Sequence, residues 1–129
     1  MADTPVRAEE LAKLRDSIVD GLNASHEARE AGLAACRRVI RSCSRSIRMV
    51  HRRELEEAAV VADEAEDALR EAQRVLAPHP KVAHAGFLHD AEKEYAEARL
   101  TAAFVAGVSL DGPEQLDVAP AAWLNGLAE

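Results

Sequence analysis

Asp90, Glu94, Glu97 and Thr101 recur at steps of four, three and four residues within GFLHDAEKEYAEARLT, residues 86–101. That spacing stacks side chains along one face of a helix. Three carboxylates in a line repel one another unless a cation or a basic partner compensates them. Glu94 and Glu97 can both reach one hard cation, with Asp90 a turn away, and Mg²⁺ needs few carboxylates because it keeps several waters. An ion held there activates water and neutralises charge at a phosphodiester. The other reading is a solvated acidic face balanced by Lys93 and Arg99. The stripe Leu88, Ala91, Tyr95, Ala98, Ala102, Val105 is centred about 100° from the carboxylates. They therefore flank the buried seam, where helical bundles build metal sites.

A second group is basic. Arg37, Arg41, Arg45, Arg48 and Arg52 follow steps of four, four, three and four and cover a face about 80° wide, which Arg38 widens. Cys36, Ile40, Cys43 and Ile47 lie on the opposite side of the same helix. Arginine pairs bidentately with phosphate, so such a line matches several nucleotides of a backbone. Equally, these arginines can answer an acidic neighbouring helix through interhelical ion pairs. The histidines His26, His51, His79, His84 and His89 show no metal-ligand spacing, and no Gly-rich phosphate loop or GxSxG element is present.

The elements that must position these groups are helical. Of 129 residues, 27 are alanine and only four are aromatic, a composition of closely packed helices in one domain. An N-cap at Thr4 followed by Pro5 opens a first helix. Apolar and small residues from Leu11 to Val50 then recur every three or four positions, carrying it to about His51. A turn is expected at 51–54, where the charge changes sign, then a second helix over Glu54–Leu76 ended by Pro78 and Pro80. A third helix is expected over Val82–Ala106, stopping at Gly107. Residues 108–119 read as a loop turning at Asp111-Gly112-Pro113, and Pro120 opens a final helix. The expected fold is all-α, an antiparallel helical bundle with a very long first helix.

Net charge is −7, unevenly spread: residues 1–53 carry 11 Lys/Arg against 7 Asp/Glu, and residues 54–129 carry 5 against 16. Residues 31–53 hold seven arginines and no acid, which suggests local anion binding more than general nucleic-acid coating. No apolar run is long enough to span a membrane, and the N-terminal MADTPVRAEEL is too polar for a signal peptide. Cys36 and Cys43 lie seven apart on one helix, about 10.5 Å along its axis and too far for a mutual disulfide. A reduced, cytoplasmic protein with two buried thiols is expected.

Three segments together resemble the translin and translin-associated factor X family, including its archaeal single-gene relatives. They are NASHEAREAGLAACRRVIRSCSRSIRMVHR in the first helix, EYAEA at Glu94–Ala98, and WLNGLAE at the C-terminus. In the first, His26, Glu30, Arg37, Arg45, Ile47, His51 and Arg52 look like the family pattern, and the spacing between segments agrees over about residues 8–129. The resemblance implies an all-α bundle assembling into a hollow homo-oligomer, typically an octamer, that binds single-stranded RNA or DNA. It also implies an X-type, Mg²⁺-dependent endoribonuclease, the alternative being a non-catalytic single-strand binder or oligomeric scaffold. By position, Glu94 and Glu97 match two acidic ligands, and Glu129 stands at the third, where the family usually has Asp; Asp90 becomes an auxiliary. Arg37, Arg41, Arg45 and Arg48 match the basic first-helix residues that meet nucleic acid. By the same resemblance, a chain ending at residue 129 lacks the family's later helices.

Overall fold

The computed structural model describes residues 3–129, with side chains from Pro5 onward. All six elements found there are helices. Helix α1 runs Asp3–His51, 49 residues and about 73 Å. It already includes Asp3 and Thr4, so the expected start at Pro5 lies inside the helix, and the Thr4 side chain is outside the described residues.

A tight turn reverses the chain where the charge changes sign. Arg53 takes a left-handed φ of 64°, its amide donating to Val50 O, while Glu54 N donates to Met49 O. Helix α2, Leu55–Leu76, returns along α1. Ser46 is buried at their contact and its hydroxyl donates to Ala58 O at 2.8 Å. A Cβ built on Gly32 lies 2.7 Å from Leu76 Cδ2, so α1 needs its glycine where α2 ends. This is the close-approach role of glycine.

The expected third helix is broken in two. Pro80–Ala83 forms the single turn α3, and α4 spans Phe87–Ala106. Gly86, at φ 108°, separates them, and Gly107, at φ 71°, ends α4. The expected plain loop at 108–119 also contains a helical turn, α5 (Pro113–Leu116), started by Pro113 and followed by left-handed Asp117. Leu116 and Val118 are buried, which draws this stretch into the core. Arg70 of α2 fixes it in place, donating to Asp117 O at 2.8 Å and to Leu116 O at 2.6 Å, and Gln73 donates to Asp117 O at 3.0 Å. Helix α6, Pro120–Ala128, follows as expected.

Small side chains let these helices pack closely. Ala35, Cys36, Val39 and Cys43 of α1 meet Ala65, Leu69 and Ala72 of α2 and Ala91, Tyr95 and Ala98 of α4. Tyr95 is the largest fully buried side chain, and its hydroxyl donates to Glu66 Oε2 at 2.6 Å. Cys36 and Cys43 are buried and unpaired. The apolar periodicity of α1 is not buried throughout, however. Leu11, Leu14, Ile18 and Leu22 are 59–65 % exposed, because α2 ends opposite Gly32 and covers only the C-terminal part of α1. Among the described residues, no helix is long and apolar enough to cross a membrane.

Candidate functional site

The carboxylate group is built by α4 and α6 crossing at Gly126. A Cβ there lies 2.8 Å from Lys93 O, 3.0 Å from Ala96 Cβ and 3.0 Å from Glu97 N, so the two backbones touch. That contact carries the end of α6 to Lys93, whose Nζ stands 3.8 Å from Glu94 Oε1 and 3.6 Å from Glu129 Oε1. Glu97 is partly buried beside them. Burial pushes its carboxyl up, and the charges of Glu94 and Glu129 add to that, against a smaller opposing pull from Lys93. Glu94, Glu97 and Glu129 therefore share one electrostatic neighbourhood. Asp90 does not join it: it is exposed in the first turn of α4 and makes no ion pair among the described residues.

All these acids offer hard oxygen donors, the chemistry Mg²⁺ prefers. Their arrangement is a different matter. Among the described residues, no group of three or more His, Cys, Asp or Glu side chains is disposed to hold a metal ion. The Lys93 ammonium takes the place between Glu94 and Glu129 that an ion needs, so the side chains as they stand do not fit the metal. Lys93 entered the sequence reading only as a surface counter-charge; its insertion between two helices depends on Gly126, which periodicity in α4 alone does not reveal.

The arginines separate into two sets. Arg38 Nη2 meets Glu71 Oε2 at 2.6 Å and Arg45 Nη1 meets Glu64 Oε2 at 3.8 Å, both across to α2. Arg52 pairs with Glu54 beside the turn at 3.2 Å. Arg37, Arg41 and Arg48 are exposed and have no carboxylate in ion-pair range among the described residues. The interhelical ion-pair reading of the stripe therefore applies to Arg38 and Arg45, while Arg41 lines the same cleft as Glu64, Asp67 and Glu71 without an ion pair among the described residues.

A third polar group was not anticipated in the sequence. Arg99 donates to Tyr95 Oη at 3.0 Å, Asp63 Oδ1 at 2.7 Å and Glu66 Oε2 at 3.1 Å. Its guanidinium lies 5.3 Å from the Tyr95 ring centroid, and that of Arg70 lies 5.7 Å away. The hydrogen bond from Tyr95, then those from Arg99, hold the Glu66 carboxyl below the usual range. Burial pushes the Tyr95 phenol up to about 12. Every buried polar side-chain atom described has a partner, so this group reads as a structural tie between α2 and α4. Glu92, buried on α4, accepts from Ala119 N at 3.1 Å at the start of α6; burial raises its carboxyl.

No family model, no curated protein and no solved structure matches the chain.

Proposed function

We propose that the chain is a single-stranded nucleic-acid-binding protein. The supporting observation is the set of exposed arginines Arg37, Arg41 and Arg48, along about 16 Å of α1, which have no carboxylate in ion-pair range among the described residues. Their guanidinium groups are available to phosphate oxygens, while Arg38 and Arg45 are already engaged by α2. Three neutralised phosphates give a salt slope of about −2 for a single strand, so affinity falls about 20-fold between roughly 50 and 200 mM salt. Fluorescence anisotropy with an oligouridine or oligothymidine strand tests this. The combined Arg37→Ala, Arg41→Ala, Arg48→Ala change is expected to flatten the salt slope to near zero. Salt-independent binding, binding unchanged by the triple substitution, or no binding by the parent protein overturns the proposal.

Mg²⁺-dependent endoribonuclease activity is the second reading. It is favoured by the convergence of Glu94 and Glu97 on α4 with Glu129 on α6, and it requires Lys93 to yield its place between Glu94 and Glu129 to the ion. Incubation of single-stranded RNA with the protein in Mg²⁺ and in EDTA decides it. Cleavage only in Mg²⁺, lost in the Glu94→Ala, Glu97→Ala variant, is the expected result; RNA bound yet intact in Mg²⁺ eliminates this reading and leaves binding standing. A homo-oligomer in a reducing, cytoplasmic setting belongs to the same proposal. It is supported by two buried, unpaired thiols and by the uncovered apolar stripe of α1.

A further inference from the structure

We infer that the N-terminal half of α1 is a self-association surface, on which a second copy of the chain lies antiparallel to the first. Leu11, Leu14, Ile18 and Leu22 line one face, with Val6 and Val19 off it on either side, and all six are 46–65 % exposed. The first four continue the face that buries Gly32, Cys36, Val39 and Cys43 farther along the same helix. This face is thus the uncovered part of a core seam. It lacks cover because α1 has 49 residues and α2 has 22, the latter ending with Leu76 against Gly32. About 33 Å of α1 projects beyond the bundle, and a single helix of that length is marginal in water unless its apolar side is packed.

Four exposed aliphatic side chains per copy give a contact at the small end of specific interfaces, near their lower bound of roughly 1,000 Å². Charge permits the contact. Residues 3–24 intersperse Arg7, Lys13 and Arg15 with five acids, whereas the C-terminal part of α1 is all arginine and would repel itself.

The orientation follows from where α2 lies. It occupies the stripe side of α1 from Gly32 onward, so two parallel copies would force both α2 ends into the same space. Antiparallel copies place the two bundles at opposite ends, in an isologous two-fold pair. With Leu14 of one copy opposite Ile18 of the other, Leu11 reaches Leu22 and Arg7, which shares the face of the stripe, reaches Ser25. Ser25 lines a shallow apolar hollow with Pro78, His79, Pro80 and Val82, where α1 leaves its own bundle. The hollow lies where the end of the partner helix arrives. The contact uses none of the arginines or carboxylates assigned above, so it stands or falls independently of the nucleic-acid reading.

The test is the mass of the full chain by sedimentation equilibrium over a concentration series, without nucleic acid. The expected mass is twice 13.9 kDa, falling to 13.9 kDa in the Leu14→Glu, Ile18→Glu variant. Both side chains are exposed in the isolated chain, so the variant is expected to keep the parent's cooperative thermal transition while losing the part of its helical circular dichroism that the unpacked N-terminal half of α1 contributes. Orientation is read by mild oxidation: Arg7→Cys with Ser25→Cys is expected to cross-link between copies, and Arg7→Cys alone is not. A monomer at every concentration overturns the inference. So does an assembly that survives the double glutamate substitution, or cross-linking by Arg7→Cys alone.

Discussion

Substituting Gly126 by alanine sets two effects against each other, and the sign of the result identifies the stronger. On propensity alone, Gly→Ala inside a helix stabilises by about 0.5–1 kcal/mol. At this site the new methyl meets Lys93 O at 2.8 Å and Glu97 N at 3.0 Å, both backbone atoms that no side-chain rotation can clear. Helix α6 must move away from α4, an overpacking cost of about 1–3 kcal/mol. The net is a loss of up to about 2.5 kcal/mol, centred on about 1 kcal/mol. For a domain of this length that lowers Tm by about 4–8 °C. Trp123 is the only tryptophan, sits on α6 and donates its indole N–H to Asp111 O at 3.0 Å. Its fluorescence reports α6 alone, while circular dichroism at 222 nm reports the whole bundle. The fluorescence transition is expected to move at least as far as the dichroism transition. A Tm equal to or above that of the parent protein refutes the close approach of α4 and α6, and with it the placement of Glu129 beside Lys93.

Two further outcomes follow from the buried groups. Burial raises the Glu92 carboxyl, so its ionisation costs the folded chain progressively more as pH climbs above its ordinary value of 4.5. Glu92→Gln keeps an oxygen for Ala119 N, and its urea midpoint is expected to match the parent's at about pH 4 and exceed it at about pH 7; a lower midpoint at neutral pH contradicts the assignment. Burial first, then nearby carboxylates, push the thiols of Cys36 up to about 11 and Cys43 up to about 12. Both are therefore expected to resist a thiol-reactive disulfide reagent at neutral pH and to react fully in denaturant. Rapid labelling of native protein is the contrary result.

The parts legible in the sequence are those governed by local periodicity and by residues that stop helices. Helix α1, the reversal near Arg52, α2, the end at Gly107 and the start of α6 all belong to this class. The break at Gly86 escaped because a single glycine in an alanine-rich run is compatible with a continuous helix; only its left-handed backbone reveals the interruption. α5 escaped because its four residues owe their order to Arg70 and Gln73, more than forty positions away. The stripe of arginines gave its phase but not its neighbours. A signal for its division was present, since Arg38 and Arg45 lie seven apart on α1 and their partners Glu71 and Glu64 lie seven apart on the antiparallel α2. Likewise, the carboxylate phase on α4 placed Glu94 and Glu97, while the role of Lys93 depends on a crossing that involves another helix.

The Arg70 contacts imply an order of assembly for the chain. α1 and α2 are joined by a three-residue turn, so their pairing closes almost no loop and gains contacts early. The stretch 116–117 meets Arg70 only across 46 and 47 residues of chain, a closure whose entropy must be met before any of its bonds form. The hairpin can therefore serve as the template, with Arg70 displaying a two-pronged donor before its acceptors arrive. The segment from α5 onward is then expected to take its shape by docking on that hairpin.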